Sequence, residues 1–257
     1  RAANDLTGRL LSLLTFTPYD CWRKTHNMHH ANSGNLSRRG LGSIDSLTVR
    51  EYRALSPGSR LIYRLYRNPF IMILFGTPYG SLIGQRFPPG KALPFNKDYR
   101  LLSPEKTWRS VMGLNAALVL FYGALGIFFG FKPLLLIGLP VLIIASSIGG
   151  WLFFVQHQFE ETYWEREGDW DFHEAAFLGS SHYVLPPLLQ WFTGNIGLHH
   201  IHHLCAKIPN YRLQECLDDS PALQAMNRLT LAESLKCARL ALWDEDSREM
   251  VRFSDVR

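Results

Sequence analysis

Two stretches of the chain carry no charged side chain, Val111–Phe131 and Pro133–Gln156. Each is long enough to cross a hydrocarbon core of about 30 Å as a helix, which takes roughly 20 residues. Lys132 alone divides them, so the pattern predicts a tight transmembrane hairpin over 110–156. Pro140 and Gly149-Gly150 predict breaks in its second helix, which neighbouring helices can accommodate in a membrane. Outside the hairpin the pattern changes. Leu6, Leu10, Leu11, Leu13 and Leu14 predict an amphipathic helix ending near Pro18, with Tyr19 and Trp22 at an interface. Phe70–Phe87 is apolar but broken by Pro78 and several glycines, and reads as interfacial or re-entrant. Pro88, Pro89, Gly90 and Pro94 mark a loop. Leu188–Phe192 reads as a short helix, and Ala222–Trp243 shows helical periodicity in a tail that caps the site. The predicted fold class is all-α: an integral membrane helical hairpin with a histidine-rich helical cap.

Charge adds an orientation. Of the 27 Lys and Arg residues, 17 precede Ser110, one lies in the hairpin and nine follow Gln156. A hairpin flanked by positive charge at both ends keeps both ends in the cytoplasm. The net charge of +5 is then juxtamembrane charge, and nucleic acid is not an expected partner. Residues 38–67 interleave arginines with Tyr52, Tyr63 and Tyr66. That segment reads first as a positive-inside flank, and second as a docking surface for anionic lipid or an acidic electron carrier. The four cysteines form no Cys-x-x-Cys pair, which argues against a zinc ribbon or thioredoxin motif, and a disulfide framework is not expected facing the cytoplasm.

The histidines carry the candidate chemistry. His26-Asn27-Met28-His29-His30 and His199-His200-Ile201-His202-His203 both contain His-x-x-His-His. Residues three and four apart share one helix face. His26, His29 and His30 can therefore converge, and so can His199, His202 and His203. One such pattern could be a solvated face. Two copies hold six of the ten histidines and point to a metal site, with imidazole suited to iron, zinc, copper or nickel. His200 lies about 100° off its triad and is left out. His157 sits where the second span ends, and Glu160 or Glu161 could hold its second nitrogen, unless both are simply solvated. His173-Glu174 begins like a zinc-protease motif, but Phe177 replaces the second histidine. His182 reads as structural, and Cys205 as a small apolar residue rather than a ligand.

Three stretches resemble the membrane fatty acid desaturase family, most closely bacterial acyl-lipid enzymes of the omega-6/delta-12 type. They are Pro18-Tyr-Asp-Cys-Trp-Arg-Lys-Thr-His-Asn-Met-His-His30, Val155-Gln-His-Gln-Phe-Glu160 and Leu189-Gln-Trp-Phe-Thr-Gly-Asn-Ile-Gly-Leu-His-His-Ile-His-His203. The resemblance covers nearly the whole chain, as one desaturase domain over 1–257. It implies a four-span fold and a di-iron centre that uses dioxygen. It implies that His26, His29 and His30 form the second histidine box, that His199, His202 and His203 form the third, and that His157 is an extra ligand. No other catalytic group is expected beyond these metal ligands. The family's first box, His-x-x-x-His, and its initial pair of spans are absent here. The chain is therefore expected to be N-terminally truncated and inactive alone.

The resemblance further implies an acyl-lipid or acyl-thioester substrate and a separate ferredoxin-like or cytochrome-like electron donor. Its expected location is the bacterial inner membrane, with the site facing the cytoplasm. Ligands alone do not separate desaturation from lipid or carotenoid hydroxylation or alkane oxidation. A non-enzymatic metal carrier would need polar residues to pass an ion, and the hairpin offers Asn115, Tyr122, Ser146 and Ser147. A soluble carboxylate-bridged di-iron protein would show Glu-x-x-His motifs, and there are none.

Overall fold

A computed structural model describes residues 2–40, 44–88 and 102–256. The loop expected at Pro89, Gly90 and Pro94 lies outside them. The chain is mostly helical and divides into two compact units.

The first unit is built chiefly from Arg1–Met28 and Phe70–Gly150. Its N-terminal helix, Ala2–Thr15, crosses the start of the Tyr19–Asn32 helix at Gly8. A Cβ there would lie 2.2 Å from the Tyr19 ring, so any larger residue would have to displace that ring. Arg9 pairs with Asp20 at 3.1 Å, and Arg23 pairs with Asp5. The Phe70–Phe87 stretch is helical, with a π-turn over Ile71–Gly76 followed by an α-helix over Thr77–Leu82.

The hairpin is the unit's apolar body. Ser103 caps the Pro104–Phe129 helix by accepting from the Lys106 N–H, and Pro104 fills the first turn, where its missing N–H costs nothing. Gly130, at φ 85°, ends that helix, and the second runs Phe131–His157. At 26 and 27 residues, each spans about 40 Å at 1.5 Å per residue, enough for a bilayer core. Phe128 is 81% exposed and Ile127 78%, a surface that water would not favour and lipid would. The expected breaks in the second helix do not occur. It continues through Pro140 and Gly149-Gly150, and a π-turn at Leu134–Gly138 precedes the proline. Gly150 instead admits Thr77, whose side chain would stand 2.3 Å from a Cβ.

The polar residues of the hairpin are spent on packing. The Asn115 amide donates to the Arg86 carbonyl at 2.8 Å and accepts from its guanidinium at 2.9 Å. Tyr122 donates to the Leu13 carbonyl at 3.1 Å, and Ser146 meets Ser81 at 2.8 Å. Three of the four groups an ion path would need are thus tied to neighbouring backbone and side chains.

The second unit comprises His29–Arg39, Ser43–Pro69 and Trp151–Arg257. Its core is a small sheet in which Leu240–Asp244 lies between Leu47–Thr48, parallel, and Glu249–Arg252, antiparallel. Buried Tyr63 joins two of these strands, accepting from the Leu47 N–H at 2.9 Å and donating to the Ala241 carbonyl at 2.7 Å. This corrects the helical expectation for Ala222–Trp243. Leu240, Ala241, Leu242 and Trp243 are consecutive and all buried, a pattern of strands covered on both faces. The helical parts are Pro221–Gln224 and Leu231–Cys237, the latter opened by a capping box between Thr230 and Glu233. A second pair of strands, His182–Val184 and Arg228–Thr230, runs parallel.

The arginines of 38–67 are largely engaged within this unit. Arg39 bonds Glu51 and the Ser46 carbonyl, Arg38 bonds Glu167, and Arg60 bonds the Arg53 and Leu55 carbonyls.

Candidate metal centre

The last turn of the long second helix changes character. Ile144 and Ile148 are exposed, whereas Phe154, Val155, Gln156 and His157 are buried. His157 thereby enters the second unit. The His199–Leu204 helix supplies its partners. Leu198 and Ile201 bury against Leu213 and Leu217, which turns His199 and His203 the other way. His29 comes from the end of the Tyr19–Asn32 helix.

These four imidazoles converge, each at least 94% buried. Their ligand-capable nitrogens all lie within 4.8 Å of one another. Nε2 of His157 stands 3.0 Å from Nε2 of His29 and 3.0 Å from Nε2 of His199. The His203 ring centroid is 4.6 Å from His199 and 4.7 Å from His157.

The proton inventory shows what this group is suited for. Nδ1 of His157 lies 3.0 Å from the Gly179 carbonyl. A carbonyl only accepts, so Nδ1 carries the proton, and Nε2 presents a lone pair to the cluster. Nε2 of His203 and Nδ1 of His199 are buried with no hydrogen-bond partner among the described residues. With metal–nitrogen bonds of about 2.1 Å, two ligands at right angles sit about 3.0 Å apart, the separation found here. Burial, followed by the neighbouring imidazoles, holds His199 and His203 well below the usual histidine pKa. Both are neutral at pH 7, as ligands must be. The arrangement can hold a metal ion.

The support for His157 differs from the sequence expectation. Glu160 and Glu161 are exposed, and the backbone carbonyl of Gly179 takes the second nitrogen. That carbonyl is fixed because Gly179 ends the Phe172–Leu178 helix with its N–H on Ala175. A Cβ at Gly179 would lie 2.5 Å from the Ala175 oxygen. A backbone partner has no side-chain signature. The glycine after a short helical pattern was the available signal.

The remaining candidates divide. The rings of His30 and His202 meet edge to face at 4.5 Å, and His30 stacks on His203 at 4.2 Å. Both are half-buried. His26 stands one turn before His30 on the same helix, in the first unit, stacked on Trp22 at 4.8 Å. His200 faces away, with Nε2 3.1 Å from the Leu223 carbonyl and its ring 5.3 Å from His182. His173 is exposed in a turn capped by Asp171. Cys205 is an exposed residue at the end of the histidine helix.

The fold and site define a helical membrane protein with a buried all-imidazole cluster able to take metal. The comparisons give the family. The family model described as Fatty acid desaturase matches residues 1–233. A fatty acid desaturase of Bacillus subtilis (strain 168) is 43% identical over 254 residues, covering 99% of this chain and 69% of the relative. An sn-1 acyl-lipid omega-3 desaturase (ferredoxin) of Nostoc sp. (strain 36) is 28% identical, covering 82% of this chain and 56% of the relative. An acyl-lipid omega-3 desaturase (cytochrome b5) of Arabidopsis thaliana is 24% identical, covering 82% and 53%. The chain belongs to the fatty acid desaturase family. It spans about two thirds of the Bacillus relative and little more than half of the other two.

Proposed function

We propose that the protein of which this chain forms part or all is a di-iron fatty acyl desaturase, acting on acyl chains of membrane lipids with dioxygen as co-substrate. We propose one desaturase domain over 1–257, with its site facing the cytoplasm at the bacterial inner membrane. The observation that supports the reading is the convergence of buried His29, His157, His199 and His203, whose ligand-capable nitrogens all lie within 4.8 Å of one another, in a protein of this family.

His29, His157, His199 and His203 would hold one iron. His30 and His202, with His26 one turn away, would hold the other. Bound iron would activate dioxygen, the oxidant, to remove hydrogen from unactivated carbon, which no acid–base side chain can do. The overall balance is one –CH2–CH2– unit, one dioxygen, two electrons and two protons giving one double bond and two waters. The electrons require a separate carrier, ferredoxin-like or cytochrome-like. The chain's own residues prepare the site. Burial keeps His199 and His203 neutral, the Gly179 carbonyl fixes the His157 tautomer, and Leu198 and Ile201 anchor the helix that aims His199 and His203.

The test uses the full-length protein in a host with a simple fatty acid profile, with lipids read by gas chromatography–mass spectrometry and iron by elemental analysis. A new unsaturated acid and about two irons per chain are expected. Both should be lost in His203→Ala. A hydroxylated product without a new double bond would overturn desaturation, and a purified protein without iron would overturn the cofactor assignment.

A further inference from the structure

A second site stands apart from the histidines. In the second unit, Arg64, Arg67, Arg239 and Arg252 line a cleft of about 420 Å³ together with Asn68 and Ser254, and no Asp or Glu is among its lining residues. Arg67 is its floor and is 3% exposed. One of its nitrogens, Nη2, donates to the Gln158 side chain at 2.8 Å and to the Leu240 carbonyl at 3.0 Å. Its guanidinium lies over the Phe154 ring at 5.6 Å. Its Nε and Nη1 are buried and donate to nothing among the described residues. Asp45 is close enough for its charge to be felt, yet it shares no hydrogen bond or ion pair with Arg67 among those residues.

A buried guanidinium is normally paired, because an unpaired buried charge is costly. Here two N–H donors are held out of water with no acceptor. Arg64 is pinned by its Nε on the Tyr52 hydroxyl at 2.6 Å and by the Phe253 ring at 5.2 Å. Arg239 and Arg252 are exposed at the rim. Four guanidinium groups around one cleft, two of them preorganised, match an oxyanion with several acceptors. The cleft also exceeds what an inorganic phosphate fills, leaving room for the glycerol of a headgroup.

We propose that this cleft binds a phosphate group, carried by an anionic phospholipid headgroup or present as free inorganic phosphate. The inference does not depend on metal chemistry. It has one structural link to the site, since Gln158, which receives the Arg67 N–H, directly follows His157.

The test is isothermal titration of the full-length, metal-loaded protein in an uncharged maltoside detergent. The probes are inorganic phosphate, water-soluble dihexanoyl phosphatidylglycerol and the matching phosphate-free diacylglycerol. The expected result is saturable binding of the phospholipid that is absent for the diacylglycerol and weakened at least tenfold in the double variant Arg239→Gln/Arg252→Gln. Both of those side chains are exposed, so the variant should keep the wild-type melting temperature. Competition between phospholipid and phosphate, with the phospholipid tighter, identifies the headgroup as the source. Binding of phosphate alone identifies the free ion. No binding of either probe overturns the proposal, as does an unchanged affinity in a folded double variant. Binding of an acidic polypeptide such as polyglutamate, with neither phosphate probe competing, also overturns it.

Discussion

The second unit buries two sets of histidines, and they are built for opposite ends. His29, His157, His199 and His203 meet nitrogen to nitrogen. His182 and His200 also lie together, at 5.3 Å, and are also buried. Burial lowers the pKa of His199 and His203 in the first set and of His182 and His200 in the second, so neither burial nor basicity separates them. The direction of the lone pairs does. His200 spends its Nε2–H on the Leu223 carbonyl and helps to hold the chain. His157 spends its Nδ1–H on Gly179 and turns Nε2 toward Nε2 of His29 and of His199, each at 3.0 Å. What marks His157 as a candidate ligand is that its second nitrogen meets other imidazole nitrogens, whereas His200 brings no nitrogen into that cluster.

The largest effect that would break this contrast is in the first set. His157→Ala or His199→Ala should remove bound iron and reduce desaturation at least 100-fold, read by elemental analysis and lipid profiling. His200→Gln should keep both within about twofold and lose about 1–3 kcal/mol of stability instead, through the unpaired Leu223 carbonyl. Iron loss in His200→Gln with an intact fold would erase the distinction.

Acid sharpens the comparison next. The folded-state pKa of His200 is pushed down to about 4, first by burial and then by His182. In the unfolded chain it titrates near 6.5. Between these values the unfolded chain binds the extra proton, so stability is full above about pH 6.5 and declines until about pH 4. The loss is on the order of 3 kcal/mol. Denaturant melts of the wild type and His200→Gln across this window should show a shallower decline in the variant. Parallel declines would mean that His200 does not carry the acid sensitivity.

The sequence made the two sets unequally legible. The repeated His-x-x-His-His spacing marked six candidates, because helix periodicity puts such residues on one face. It also set His200 aside, and that ring does point elsewhere. His157 was legible through its place at the end of an apolar span and the stretch Val155–Glu160. What held His157 was not legible, since a backbone carbonyl leaves no residue type to read, and the nearby carboxylates drew attention instead. The hairpin was visible because absence of charge over such lengths is rare outside a membrane. The Leu240–Asp244 strand was missed because a run buried on both faces has no period of two, and the Thr230–Glu233 capping box that begins a new helix went unused. Arg67 was read as one more charge in a basic flank. Burial of a single arginine depends on what packs over it, which the local sequence does not show.

The smallest effect tests the support rather than the ligands. At Gly179 a methyl group would stand 2.5 Å from the Ala175 oxygen and 3.5 Å from that of Tyr163. Backbone atoms cannot swing away as a long side chain can, so Gly179→Ala must shift the carbonyl that faces His157. The imidazole would remain, but its tautomer and aim would no longer be fixed. Losing such an outer partner typically weakens metal binding 10- to 100-fold, or about 1.4–2.7 kcal/mol. Iron retention during dialysis against a graded chelator series measures this directly. Gly168→Ala, on an exposed turn where a Cβ meets nothing within 4 Å, is the matched control. If Gly179→Ala holds iron as tightly as Gly168→Ala does, the carbonyl is not orienting the ligand. The contrast between the two histidine sets would then rest on the converging nitrogens alone.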